Sequence, residues 1–170
     1  MKVNKGINRL TTLLFTIYLV GLYWILLFKL GIQSPYMDER RVNLIPFNDP
    51  SLFNAENILN VIIFVPLGIY AGIIFERLTS SKKILLFFFA SLIVEALQYI
   101  LRLGAFDVTD LITNTAGGIL GLIIFKSIER VFNNSDRAQR FINIFAATGT
   151  ILIVLLLLLL KMNLLPVRFQ

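Results

Sequence analysis

The sequence contains no histidine and no cysteine. Without histidine there is no imidazole general base, no His-rich zinc site and no hydrolytic scheme that turns on a catalytic histidine. Without cysteine there is no thiolate nucleophile and no disulfide framework, and thiols say nothing about compartment. Charge is scarce as well: 15% of the 170 residues are charged, against 57% hydrophobic, and the mean hydropathy is +0.81. A chain of this size and apolarity reads as an integral membrane protein. No polar block is long enough to fold alone, so a single membrane domain over residues 1–170 is expected. Any chemistry falls to carboxylates, amides, hydroxyls, lysines and arginines. The net charge of +6 does not point to nucleic acid, because the basic residues sit at the ends of apolar runs and form no patch with interleaved aromatics.

Five apolar runs of spanning length are present, at residues 10–28, 58–75, 84–101, 109–125 and 141–160. They predict an all-α polytopic helical bundle. The first run follows a basic leader, exceeds the apolar core of a signal peptide and lacks a small-residue cleavage site, so a retained helix is expected. Tyr18, Tyr23 and Trp24 are its expected interfacial anchors. Residues 29–57 form a long polar loop that carries Pro35, Pro46 and Pro50, and loops of that length are usually functional or disordered. The second run holds Pro66, which bends a spanning helix, and Gly68 and Gly72, whose spacing lets another helix approach closely. Residues 76–83 and 126–140 are read as polar connectors. The last run ends in six leucines, a lipid-facing anchor without chemistry.

Against this background the polar residues inside the runs stand out. An ionisable group at bilayer depth is costly unless paired or wetted, and is a functional candidate by default. Glu95 and Gln98 share a helix face at i, i+3, with Arg102 one turn on. Asp107, Asp110 and Asn114 lie at i, i+3, i+7 on another face, although Asp107 or Thr109 can also be read as a plain helix cap. Asn57 and Asn60 share a face at the start of the second run. Ten of the sixteen basic residues fall in the N-terminal leader, the second connector and the fourth, so the positive-inside rule predicts a cytoplasmic N-terminus. Five spans then put Asn60, Glu95, Gln98, Asp110 and Asn114 in one leaflet, facing outward, and predict a shared pocket under the long first loop. Arg40 and Arg41 in that loop offer two adjacent guanidinium groups for a phosphate, or simply contact lipid phosphates nonspecifically.

The series Asn43-Leu-Ile-Pro46-Phe47, Asn57-xx-Asn60-xxx-Phe64-x-Pro66-Leu-Gly68, Glu95-xx-Gln98 and Phe106-Asp107-xx-Asp110-xxx-Asn114-xx-Gly117-xxx-Gly121 resembles the VanZ-like family, from about Arg40 to Lys126. The resemblance implies a bacterial multi-pass membrane protein of the cell envelope. It also implies kinship with a founding member associated with resistance to teicoplanin, a lipid-tailed glycopeptide. It implies no settled reaction. Thr109 departs from the pattern, standing where many relatives carry a further acidic residue, which counts against schemes that need three clustered carboxylates.

Three functional readings follow. In the first, the protein binds an amphiphile or a lipid-linked anionic headgroup at the outer leaflet of the bacterial cell membrane. Arg40, Arg41 and Arg102 would meet its negative charge, and Asn43, Asn60, Gln98, Asp107 and Asn114 would join Glu95 and Asp110 in the pocket. In the second, Glu95 and Asp110 are a catalytic acid and base, or share Mg²⁺ with Asp107, at a lipid-linked substrate. In the third, the polar residues only lock helices into a scaffold. The sequence calls for no cofactor. The expected partners are membrane lipids or a lipid-linked envelope precursor, and not nucleic acid.

Overall fold

The computed structural model describes residues 9–28, 42–48 and 55–162. Five helices are present among them: α1 (Arg9–Phe28), α2 (Ala55–Ile74), α3 (Ser80–Leu101), α4 (Val108–Phe132) and α5 (Ser135–Lys161). Each is long and apolar enough to cross a membrane. Two short strands, β1 (Val42–Asn43) and β2 (Phe106–Asp107), pair in parallel with Val42 opposite Phe106 and Asn43 opposite Asp107. The all-α polytopic bundle expected from hydropathy is therefore the fold, with this small ladder added at one end.

The centre of the bundle is the seam between α2 and α4. Lipid tails are as apolar as leucine, so helices in a bilayer associate through close packing and polar contacts rather than by escaping water. The seam is built for closeness. A Cβ at Gly68 would run into the Gly118 carbonyl, and one at Gly121 into the Val65 carbonyl, so only glycine lets the two backbones meet. Phe64 and Phe87, both fully buried, fill the space beside the seam with Leu67, Ala71 and Val94.

α1 lays Leu22 and Leu26 on the same core. Its Tyr18 is not the interfacial anchor that its position suggests. The Tyr18 hydroxyl donates to the Ile63 carbonyl at 2.8 Å, beside the turn where Pro66 has no N–H to offer the carbonyl of Ile62. A tyrosine from a neighbouring helix thus ties α1 to α2 one residue beyond the carbonyl that proline leaves free. Tyr23 packs on the core as well, and Trp24, 63% exposed, faces outward.

The connector expected over residues 126–140 shrinks to a turn at Asn133 and Asn134. α4 continues through Lys126, Glu129 and Arg130 to Phe132, and α5 begins at Ser135. Asn133 takes a left-handed conformation (φ 47°) that ends α4, a role asparagine fills more readily than most residues. Asn134 Oδ1 then accepts from the backbone N–H of Asp136 and Arg137 at 2.8 and 3.1 Å, capping α5. Hydropathy marks what the hydrocarbon can contain, whereas a helix runs on to its cap. For the same reason Lys82 and Lys83, expected in a connector, lie in the first turn of α3 behind the Thr79 cap.

α5 is held at its N-terminal half. Thr11 Oγ1 accepts from Gln139 Nε2 at 2.7 Å and from Asn143 Nδ2 at 2.8 Å. Beyond this knot Ile151 to Leu156 are at least half exposed, in keeping with the anchor expected of the leucine-rich run.

Candidate functional site

The site grows from the way α3 ends and α4 begins. Arg102 adopts a left-handed conformation (φ 58°), and the Leu103 N–H reaches back to the Gln98 carbonyl at 2.9 Å, a bond that closes a Schellman-type end. The chain then passes through β2, and Asp107 caps α4 by accepting the Thr109 N–H on Oδ1 at 2.7 Å. A carboxylate at this point also faces the positive end of the helix dipole. The capping reading of Asp107 is thus correct as far as it goes.

Asp107 has a second task. Its Oδ2 accepts from Asn43 Nδ2 at 3.0 Å, and the Thr109 hydroxyl oxygen accepts from the Phe47 N–H at 3.0 Å. Phe47 itself is held at φ 54°, a conformation uncommon for residues other than glycine. Together with the β1–β2 ladder these bonds lay the end of the first loop across the start of α4.

Beneath this roof the polar side chains of three helices converge. Glu95 Oε2 accepts the Asp107 N–H at 3.0 Å. Asn60 Nδ2 donates to Asp110 Oδ1 at 2.8 Å, joining α2 to α4. One turn deeper Asn114 Nδ2 donates to Ser91 Oγ at 2.9 Å, joining α4 to α3. Gln98 Nε2 donates to the Leu26 carbonyl at 2.8 Å. That carbonyl lies in the last turn of α1, where helix geometry leaves it without an intrahelical partner. Glu95, Gln98 and Asn114 are each at most 2% exposed and Asp110 is 8% exposed, so this is an interior constellation.

Two atoms in it are unusual. Gln98 Oε1 and Asn114 Oδ1 are buried and have no hydrogen-bond partner among the described residues. A buried carbonyl normally finds a donor, and leaving one without costs about 1–3 kcal/mol. Both amides use their N–H₂ groups on protein acceptors and turn their oxygens elsewhere.

The structure therefore brings together Asn43, Asn60, Glu95, Gln98, Asp107, Asp110 and Asn114 at one end of the bundle. Arg102 is exposed, and its backbone forms the α3 cap. Arg40 and Arg41 lie outside the described residues. Among the described residues no three acidic groups are placed to hold a metal ion, so the geometry gives no support to Mg²⁺ shared by Glu95, Asp107 and Asp110. Ser91 and Thr109 belong to the constellation and were not anticipated as members. Ser91 was within reach, since it precedes Glu95 by four residues and Gln98 by seven, the spacing of one helix face. The role of Thr109 as acceptor for a loop N–H has no local signal.

The profile described as VanZ/LLP1 matches residues 15–133, from α1 to the end of α4. The chain belongs to the VanZ/LLP1 family. Protein VanZ of Enterococcus faecium is 40% identical over 149 residues, which cover 85% of this chain and 88% of that protein. No solved structure matches. As a VanZ/LLP1 member the chain is a multi-pass membrane protein, and the constellation just described lies wholly inside the matched region.

Proposed function

We propose that this VanZ-like protein binds the headgroup of an amphiphile or lipid-linked envelope molecule between α3 and α4, and so contributes to resistance against teicoplanin-type lipoglycopeptides. The observation that carries this reading is the pair of unpartnered buried carbonyls, Gln98 Oε1 and Asn114 Oδ1, beside Glu95 and Asp110. Acceptors in this arrangement suit a ligand that brings donors, such as hydroxyl or amide N–H groups. Each donor would relieve a buried acceptor, and hydrogen bonds to charged acceptors are the stronger kind. The exposed Arg102, with Arg40 and Arg41 of the first loop, would meet an anionic part of the same ligand at the rim. Entry requires only the roof to lift, since few hydrogen bonds hold it: Asn43 to Asp107, Phe47 to Thr109 and the two-residue ladder.

The test compares Glu95→Gln and Asp110→Asn with the unaltered chain for teicoplanin susceptibility of a bacterium expressing each, at matched membrane abundance. Both substitutions keep shape and remove an acceptor, so protection is expected to be lost while insertion persists. Retained protection in both variants overturns the reading. Reduced abundance of folded protein in place of reduced protection would favour the scaffold alternative.

Orientation is tested separately. Because the chain lacks cysteine, single cysteines at Val42, Ala105 and Ser80 can be labelled with an impermeant maleimide. Val42 and Ser80 are exposed and Ala105 is half-buried. Labelling of Val42 and Ala105, the two neighbours of the roof, from outside, with Ser80 protected, is the outcome that agrees with an outer-leaflet site; the opposite pattern sinks it.

A further inference from the structure

The turn that follows β1 divides its backbone from its side chains in an unexpected way. It reads Leu44-Ile45-Pro46-Phe47, with no charged residue from Val42 to Asn48, and Leu44 is 66%, Ile45 62% and Phe47 37% exposed. A turn that faces water is ordinarily built from glycine, serine, asparagine or aspartate and leaves its backbone to the solvent. Here the donors at the tip are used up within the protein. The Ile45 N–H donates to Asn43 Oδ1 at 3.2 Å, Pro46 has no N–H, and the Phe47 N–H donates to Thr109 Oγ1 at 3.0 Å. Apolar side chains stand outward while the N–H groups of Ile45 and Phe47 are turned onto protein acceptors. That is the arrangement a lipid environment asks of irregular backbone, because lipid cannot supply the acceptors that water would.

The depth of the turn follows from what holds it. Phe47 is bonded to Thr109 in the first turn of α4, and the apolar span of α4 begins at Val108. The outward-facing apolar surface of the bundle starts at the same end, with Ile112 one turn further along α4 and Leu59 one turn into α2, both exposed. The turn therefore lies where the bundle enters the hydrocarbon. Phe47 also keeps its ring at φ 54°, a conformation that glycine adopts at less cost, so the position retains an aromatic side chain against the preference of its backbone. Continuity with the lipid-facing surface favours lipid over a protein partner as what covers these side chains. We propose that Leu44, Ile45 and Phe47 are seated in the boundary between headgroups and acyl chains, in the leaflet that holds the Glu95 and Asp110 constellation. The roof is then held by the bilayer as well as by its own hydrogen bonds, and a molecule already in that leaflet meets it along an apolar edge. This inference concerns contact with lipid alone, so it stands whichever ligand enters beneath the roof and whichever leaflet is involved.

The chain has one tryptophan, Trp24, so a Trp24→Phe background can carry a single fluorescent reporter. The full chain with Ile45→Trp is reconstituted into vesicles of phosphatidylcholine and phosphatidylglycerol, and Leu44→Trp serves if that variant does not fold. Two quenchers are compared: phosphatidylcholine brominated high on its acyl chain, and acrylamide present on both sides of the bilayer. A ring seated about 5–10 Å into the boundary is expected to lose emission by ~2-fold or more in the brominated vesicles, and to be quenched by acrylamide much less than free tryptophan is. Quenching by acrylamide as for free tryptophan, with no effect of bromine, shows a turn in water and overturns the proposal. Protection from both quenchers shows a turn covered by protein, and overturns it equally.

Discussion

α4 and α5 have nearly the same length, 25 and 27 residues, and both satisfy the same criteria of a membrane span. Yet 56% of the α4 window is buried against protein and only 11% of the α5 window is. Apolarity does not separate them. α4 distributes Asp110, Asn114, Gly117, Gly118 and Gly121 along its inward side, all buried. α5 concentrates its polar residues in the first turns and then turns to leucine. In a solvent that does not drive apolar surfaces together, small and polar side chains decide which helix is central and which is peripheral.

The sharpest way to break this comparison is to place the same bulk in both helices. Gly121→Leu forces a side chain into the Val65 carbonyl and is expected to cost ~3 kcal/mol or more, or to abolish the folded state. Gly149→Leu on α5 meets nothing within 4 Å and should change stability by less than ~0.5 kcal/mol. Thermal unfolding and monodisperse yield in detergent distinguish the two, and comparable damage would show that α5 is packed as tightly as α4.

A second, smaller effect concerns polar contacts. Asn114→Ala removes the bond to Ser91 and Asn143→Ala the bond to Thr11, and each should lower stability by about 1 kcal/mol. Thr148→Ala, exposed on α5, should be neutral in the same unfolding assay. This sharpens the comparison: the first half of α5 is tied by polar contacts as α4 is, and its second half is exposed. Tyr18→Phe removes the hydroxyl bond to the Ile63 carbonyl and should cost somewhat less, about 0.6 kcal/mol. The least effect belongs to Leu155→Val in the exposed leucine run, within ~0.5 kcal/mol.

The sequence made the five spans legible because hydrocarbon tolerates little else for twenty residues. It also made the grouping of Asn60, Glu95, Gln98, Asp110 and Asn114 legible, since alternating spans must bring those ends together. The turn at Asn133 and Asn134 carried a local signal in two asparagines followed by serine and aspartate, a capping pattern that charge counting passed over. The burial of Lys83 carried none, because a lysine beside a connector looks solvated until α2 and α4 close around it. Tyr18 is similar. A phenol near a helix middle can anchor at an interface or donate inward, and only the position of α2 decides. The knot of Thr11 with Asn143 joins residues 132 apart in sequence, a separation that leaves no periodic trace.

The bond between Asn43 and Asp107 spans 64 positions, and this has a bearing on biogenesis. Asn43 emerges from the ribosome well before its partner, and α1, α2 and α3 can all be delivered to the bilayer while the loop still lacks its hold. Only arrival of the segment from Phe106 to Asn114 supplies the ladder, the cap and the acceptor for the Phe47 N–H in one step. The cover over the polar constellation is thus completed late in synthesis, and a nascent chain stopped before Phe106 has helices but no roof.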